Sequence, residues 1–99
     1  LALVVLSASG CPHSDDAIIT CDNFDYFLAT CYPECVITWD CEYNYDSLPV
    51  ENQLILDDCS DCLAIEADTL SCGDCTYYRD GYEHSCFAFM TDTLGLACF

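Results

Sequence analysis

The sequence predicts an all-β fold, a disulfide-rich immunoglobulin-like β-sandwich with an extended N-terminal strand, and three observations lead there. Eleven of the 99 residues are cysteine, a density that marks a scaffold closed by disulfides, since so short a chain buries little apolar surface. Apolar and polar residues alternate with period two in several short segments. Turn residues divide those segments, and no capped amphipathic helix of ten or more residues stands out against them.

The first segment, Leu1 to Gly10 (LALVVLSASG), contains no acid. Leu1, Leu3 and Val5 fall on one face of a strand and Ala2, Val4 and Leu6 on the other, the pattern of a strand buried on both sides. Ala8 and Gly10 ahead of Cys11 also suit a secretory cleavage site, or a bacterial lipobox in which Cys11 would be acylated. No basic residue precedes the apolar run, so a retained strand is the expected role. Residues 11–99 then form the sandwich domain.

The clearest alternation is Cys35 to Tyr45 (CVITWDCEYNY). Cys35, Ile37, Trp39, Cys41, Tyr43 and Tyr45 share one face, against Thr38, Asp40, Glu42 and Asn44, which predicts a half-buried strand. Along a straight strand Cys35 and Cys41 lie roughly 20 Å apart, so each must pair elsewhere. Trp39 beside such cysteines is compatible with an immunoglobulin-like sandwich, although the cysteine spacing is not that of an antibody domain.

Asp46 to Asn52 carries turn chemistry around Pro49 and divides the domain. Leu54 to Leu56 reads as a short strand. Leu63 to Cys72 reads as another, with a short helix as the competing assignment because Leu63, Ala64 and Ala67 also suit a helical face. Thr76 to Phe89 carries the best hairpin signal: Asp80 and Gly81 fit the two positive-φ positions of a type I′ turn. That register sets Arg79 opposite Tyr82, Tyr78 opposite Glu83, Tyr77 opposite His84, and Cys75 opposite Cys86 within reach of a disulfide. Met90 to Phe99 reads as a last strand interrupted by Gly95.

All eleven cysteines, Cys11, Cys21, Cys31, Cys35, Cys41, Cys59, Cys62, Cys72, Cys75, Cys86 and Cys98, are disulfide candidates. An odd number leaves one for an intermolecular bond, a modification or a free thiol. Cys59, Cys62, Cys72 and Cys75 make two CxxC pairs that could hold zinc, but seven further cysteines argue for an oxidising compartment and disulfide use. Ten-residue steps between Cys11, Cys21, Cys31 and Cys41 would suit a solenoid, yet the residues between them do not repeat. Asp15, Asp16, Asp22, Asn23 and Asp25 could gather around calcium, but the spacing is not that of an EF-hand loop. His13 and His84 stand in no recognisable nucleophile motif. Catalytic residues and cofactors are therefore not expected, and the protein is read as a non-enzyme.

Eighteen acidic residues face a single basic one, Arg79, for a formal net charge of -17. Such a surface repels nucleic acid and anionic headgroups, so neither nucleic-acid binding nor membrane insertion is expected. The excess serves solubility, or attracts divalent cations or a basic partner. No Asn-x-Ser/Thr sequon occurs, leaving O-linked glycans as the possible decoration.

The apolar leader followed by the small residues Ser7 to Gly10 resembles the donor strand of pilus-type fibres, in which a terminal segment completes a neighbour's open sheet. The resemblance covers the architecture and residues 1–10 only. It implies a secreted filament subunit that polymerises with copies of itself through Leu1, Leu3, Val4, Val5 and Leu6. The alternative is a monomeric secreted binding module, such as an inhibitor, effector or ligand trap.

Overall fold

The computed structural model describes residues 15–35, 39–96 and 98, without the side chains of Asp15 and Asp16. Its elements are α1 (Asp15–Cys31), α2 (Cys41–Tyr45), α3 (Val50–Asp68), β1 (Thr76–Arg79), β2 (Tyr82–Ser85) and α4 (Cys86–Asp92). The expected immunoglobulin-like sandwich is thus overturned. The domain is small, mixed and mostly helical, and its sheet among the described residues is one antiparallel pair of four-residue strands. The proposed donor strand, Leu1, Leu3, Val4, Val5 and Leu6, lies outside the described residues.

Residues 15–31, to which the sequence pattern assigns no element, form α1, and the expected strands give way to helices for physical reasons. In α1 the buried residues Ala17, Cys21, Phe24, Phe27 and Leu28 recur at helical spacing, with Cys21 acting as a small core hydrophobe. Leu54 to Leu56 and Leu63 to Asp68 belong to α3, whose buried positions are Ile55, Leu56, Cys59, Ser60, Leu63 and Ala67. Cys41 and Tyr45 are buried four residues apart on α2, while Tyr43, which a strand would turn inward with them, is 77% exposed. Asp40 begins α2 by accepting a hydrogen bond from the Tyr43 N–H at 3.1 Å, the ordinary role of aspartate at an N-cap. Residues 36–38 of that expected strand lie outside the described residues. Met90 to Asp92 is the last part of α4, a helix that Ser85 begins by accepting the Ala88 N–H at 3.1 Å.

The two long helices run in the same direction. Thr20 bonds Asp57, Asn23 bonds Asp61 and Tyr26 bonds Asp68, so contacts ascend together along α1 and α3. Helices joined by short loops are antiparallel neighbours. Here the connection, of which residues 32–35 and 39–49 are described, must instead return along α1, about 25 Å for 17 residues at the helical rise. The Cys21–Cys41 disulfide fastens that return to α1, and Cys31–Cys72 joins the far ends of the two helices.

At its end α3 closes with a pair of hydrogen bonds, Ser71 N–H to Glu66 O and Leu70 N–H to Ala67 O, both 3.0 Å. This is a Schellman stop with Leu70 at the left-handed position, φ 57°, where glycine is usual. The core lies between α1, α3 and α4, around Phe24, Phe27, Leu56, Leu63 and Met90. Trp39 meets Phe24 edge-on at 6.0 Å from outside that group.

Candidate functional site

The most site-like arrangement is the hairpin and the helix beneath it. Cys59 and Cys62, three residues apart, share a face of α3. Cys86 bonds the first and Cys75 the second. The expected Cys75–Cys86 bridge is therefore replaced by two bridges, one from each foot of the hairpin to one turn of α3. The two feet do adjoin, since the Cys86 N–H donates to the Cys75 carbonyl at 2.7 Å, but both cysteines are buried toward the helix. Asp74 completes the foot by accepting the Ser85 hydroxyl at 2.5 Å and the Phe87 N–H at 2.9 Å.

From this foot the strands pair in the expected register, with Arg79 opposite Tyr82, Tyr78 opposite Glu83 and Tyr77 opposite His84. Asp80 and Gly81 both have positive φ, 55° and 82°, as a type I′ turn requires. Tyr77 stacks on His84 at 5.3 Å and meets Phe89 edge-on at 5.9 Å, so this face of the hairpin packs on α4. Burial pushes the Tyr77 hydroxyl above its ordinary range. Tyr78 and Tyr82 are 74% and 71% exposed.

The tip also meets α3, through an exposed ion pair. Arg79 pairs with Glu51 in the first turn of α3 and lies 3.8 Å from Asp80. A four-residue strand spans about 13 Å, and the eight residues from Cys59 back to Glu51 span about 12 Å of helix. The hairpin thus lies along α3, held by two disulfides at its foot and touching the first turn of the helix at its tip. Beside it runs an exposed stripe of α3 at helical steps of four, four, three and four: Val50, Leu54, Asp58, Asp61 and Ile65, all on the solvent side.

Other sequence candidates are dispersed or structural. The four CxxC cysteines go to three different disulfides, and Cys35 bonds Cys98. Cys11 and His13 lie outside the described residues; the other ten cysteines are all paired. Asn23 is used to bind Asp61 at 3.1 Å. Asp25 is raised by partial burial first, then by the nearby carboxylates of Asp22, Glu42 and Asp40. No group of three or more His, Cys, Asp or Glu among the described residues is arranged to hold a metal ion. No described helix is long and apolar enough to cross a membrane.

The sequence pattern does not reveal the outer stripe of α3, because Asp46 to Asn52 reads as a turn and Leu54 to Leu56 and Leu63 to Cys72 read as separate short elements. The signal was present: Val50, Leu54 and Ile65 stand four and eleven residues apart, one face of a helix. No family model, curated protein or solved structure matches the chain.

Proposed function

We propose that the protein is an extracellular, disulfide-stabilised binding module that recognises a partner through its stapled hairpin and the adjoining outer face of α3, without chemistry of its own. The carrying observation is a hairpin stapled at both feet that holds a tyrosine about three-quarters exposed on each of its faces, Tyr78 on one and Tyr82 on the other. Tyrosine is a preferred anchor of protein interfaces, and a strand pair immobilised beforehand loses little freedom on docking. The ten paired cysteines support an oxidising compartment.

The filament reading has less behind it. It called for an open sandwich to receive a strand, whereas the sheet among the described residues is the hairpin alone. Copies each carrying a net charge of -17 also repel one another on approach. Light scattering coupled to size exclusion at physiological salt decides between them. A monomer near 11.0 kDa is expected; ordered high polymers would overturn the proposal.

A further inference from the structure

Resting on the binding-module reading, we infer that the partner presents a cationic amphipathic segment, which lies along the α3 stripe from Val50 to Ile65 beside the hairpin. The stripe is an outward helix face about 23 Å long at 1.5 Å per residue, on which one Asp61 oxygen already accepts the Asn23 amide of α1. Its composition is bipartite. Val50, Leu54 and Ile65 are 70%, 59% and 63% exposed, aliphatic groups left facing water. Asp58 and Asp61 sit between them, and Glu51 borders them.

Charge chooses the occupant. Arg79 is the one lysine or arginine in the sequence, and Glu51 and Asp80 already engage it, leaving no second lysine or arginine to answer the remaining carboxylates. A second copy would bring the same negative face to the stripe and meet repulsion within a Debye length of about 8 Å. An acidic or phosphorylated partner would meet the same repulsion. A segment carrying apolar residues at steps of three and four with lysine or arginine between them places aliphatic groups on Leu54 and Ile65 and ammonium or guanidinium groups on Asp58 and Asp61. The stapled hairpin beside it carries an exposed tyrosine on either face, Tyr78 on one and Tyr82 on the other, so one of them is available for further contact with cations or apolar groups.

The test uses the full oxidised chain and three synthetic helical peptides of about 16 residues, the length of the stripe. The first has leucine at steps of three and four with lysine elsewhere, the second keeps the lysines but has serine for leucine, and the third has glutamate for lysine. Biolayer interferometry should show the Lys/Leu peptide binding at least about tenfold more tightly than the Lys/Ser peptide, and the Glu/Leu peptide not binding. The exposed double substitution Leu54→Ser with Ile65→Ser, its folding verified by an unchanged circular dichroism spectrum, should lose that tenfold preference. Asp58→Asn should weaken binding of the Lys/Leu peptide and flatten its salt dependence.

Equal binding of the two lysine peptides, or no effect of the double substitution, would show diffuse charge attraction and overturn the stripe. Equal binding of the Glu/Leu peptide would overturn the cationic partner. A dimer abolished by the double substitution would assign the face to a second copy and overturn the inference. A monomer that binds none of the peptides overturns this inference alone, whereas polymers overturn the binding-module reading beneath it.

Discussion

Thr20 and Asp57 join the two parallel helices through a hydroxyl-to-carboxylate hydrogen bond of 2.6 Å. The same Asp57 oxygen accepts the Tyr45 hydroxyl at 2.8 Å, so α1, α2 and α3 meet on one atom. Asn23 to Asp61 and Tyr26 to Asp68 continue the row. With a single basic residue in the chain, neutral donors do what salt bridges do elsewhere.

Replacing Thr20 by valine keeps its shape and removes one donor. A hydrogen bond to a charged acceptor contributes about 1.5–3 kcal/mol, and Tyr45 still serves Asp57, so a loss of about 1–2 kcal/mol is expected. Urea unfolding with an unchanged slope would measure it. No change in midpoint would mean the seam is held by packing alone.

Leu70→Gly should raise stability, an unusual direction for loss of a large side chain. Leu70 is 76% exposed, so little burial is forfeited, and its φ of 57° costs an ordinary residue about 1 kcal/mol or more that glycine avoids. Glycine's greater freedom in the unfolded chain offsets part of the gain, leaving roughly 0.5–1 kcal/mol. A lower melting temperature would contradict the Schellman assignment.

Asp25 ties stability to pH. Burial and the carboxylates of Asp22, Glu42 and Asp40 raise it, so the folded state holds this proton more tightly than the unfolded state. Below the unfolded value both states are protonated and nothing is lost. As pH rises through the interval between the unfolded and the raised folded value, the unfolded state loses its proton first and stability falls. Asp25→Asn should therefore stabilise the protein at neutral pH and flatten that decline. Unfolding curves collected from mildly acidic to neutral pH would reveal it, and identical profiles for both proteins would count against the cluster.

Removing the hairpin staples should separate two roles. The double substitution Cys59→Ala with Cys86→Ala opens a loop with a sequence separation of 27, and Cys62→Ala with Cys75→Ala one of 13. Each should cost on the order of 2–4 kcal/mol, the longer loop somewhat more. Amide exchange at the β1–β2 hydrogen bonds should accelerate in both while α1 stays protected. Uniform loosening of the whole domain would show that the staples hold the core and not the hairpin.

The hairpin was legible because its information is local: Asp80-Gly81 specifies the turn, and a two-residue turn fixes the register. The helices were obscured by what occupies their faces. Cysteine and serine fill core positions in α3 while Val50, Leu54 and Ile65 point to water, so apolar residues surround the helix and blur its period. In α1, Ile18 and Ile19 do the same. The customary stop signals are also missing, with Leu70 where glycine is expected and no basic residue in the last turn of either long helix. Partner choice among the cysteines depends on contacts between distant elements. Cys75 and Cys86 were placed side by side by the turn, yet α3 supplies the sulfur for each.

The disulfides also decide what a protease can accomplish. The loops closed by Cys21–Cys41, Cys31–Cys72, Cys35–Cys98 and Cys59–Cys86 overlap end to end, so every peptide bond between Cys21 and Cys98 lies inside at least one of them. No single cut in that span can release a fragment. With no lysine and one arginine, trypsin has a single cleavage point, Arg79 at the hairpin tip. The clipped chain should gain the mass of one water and travel as one species until its disulfides are reduced.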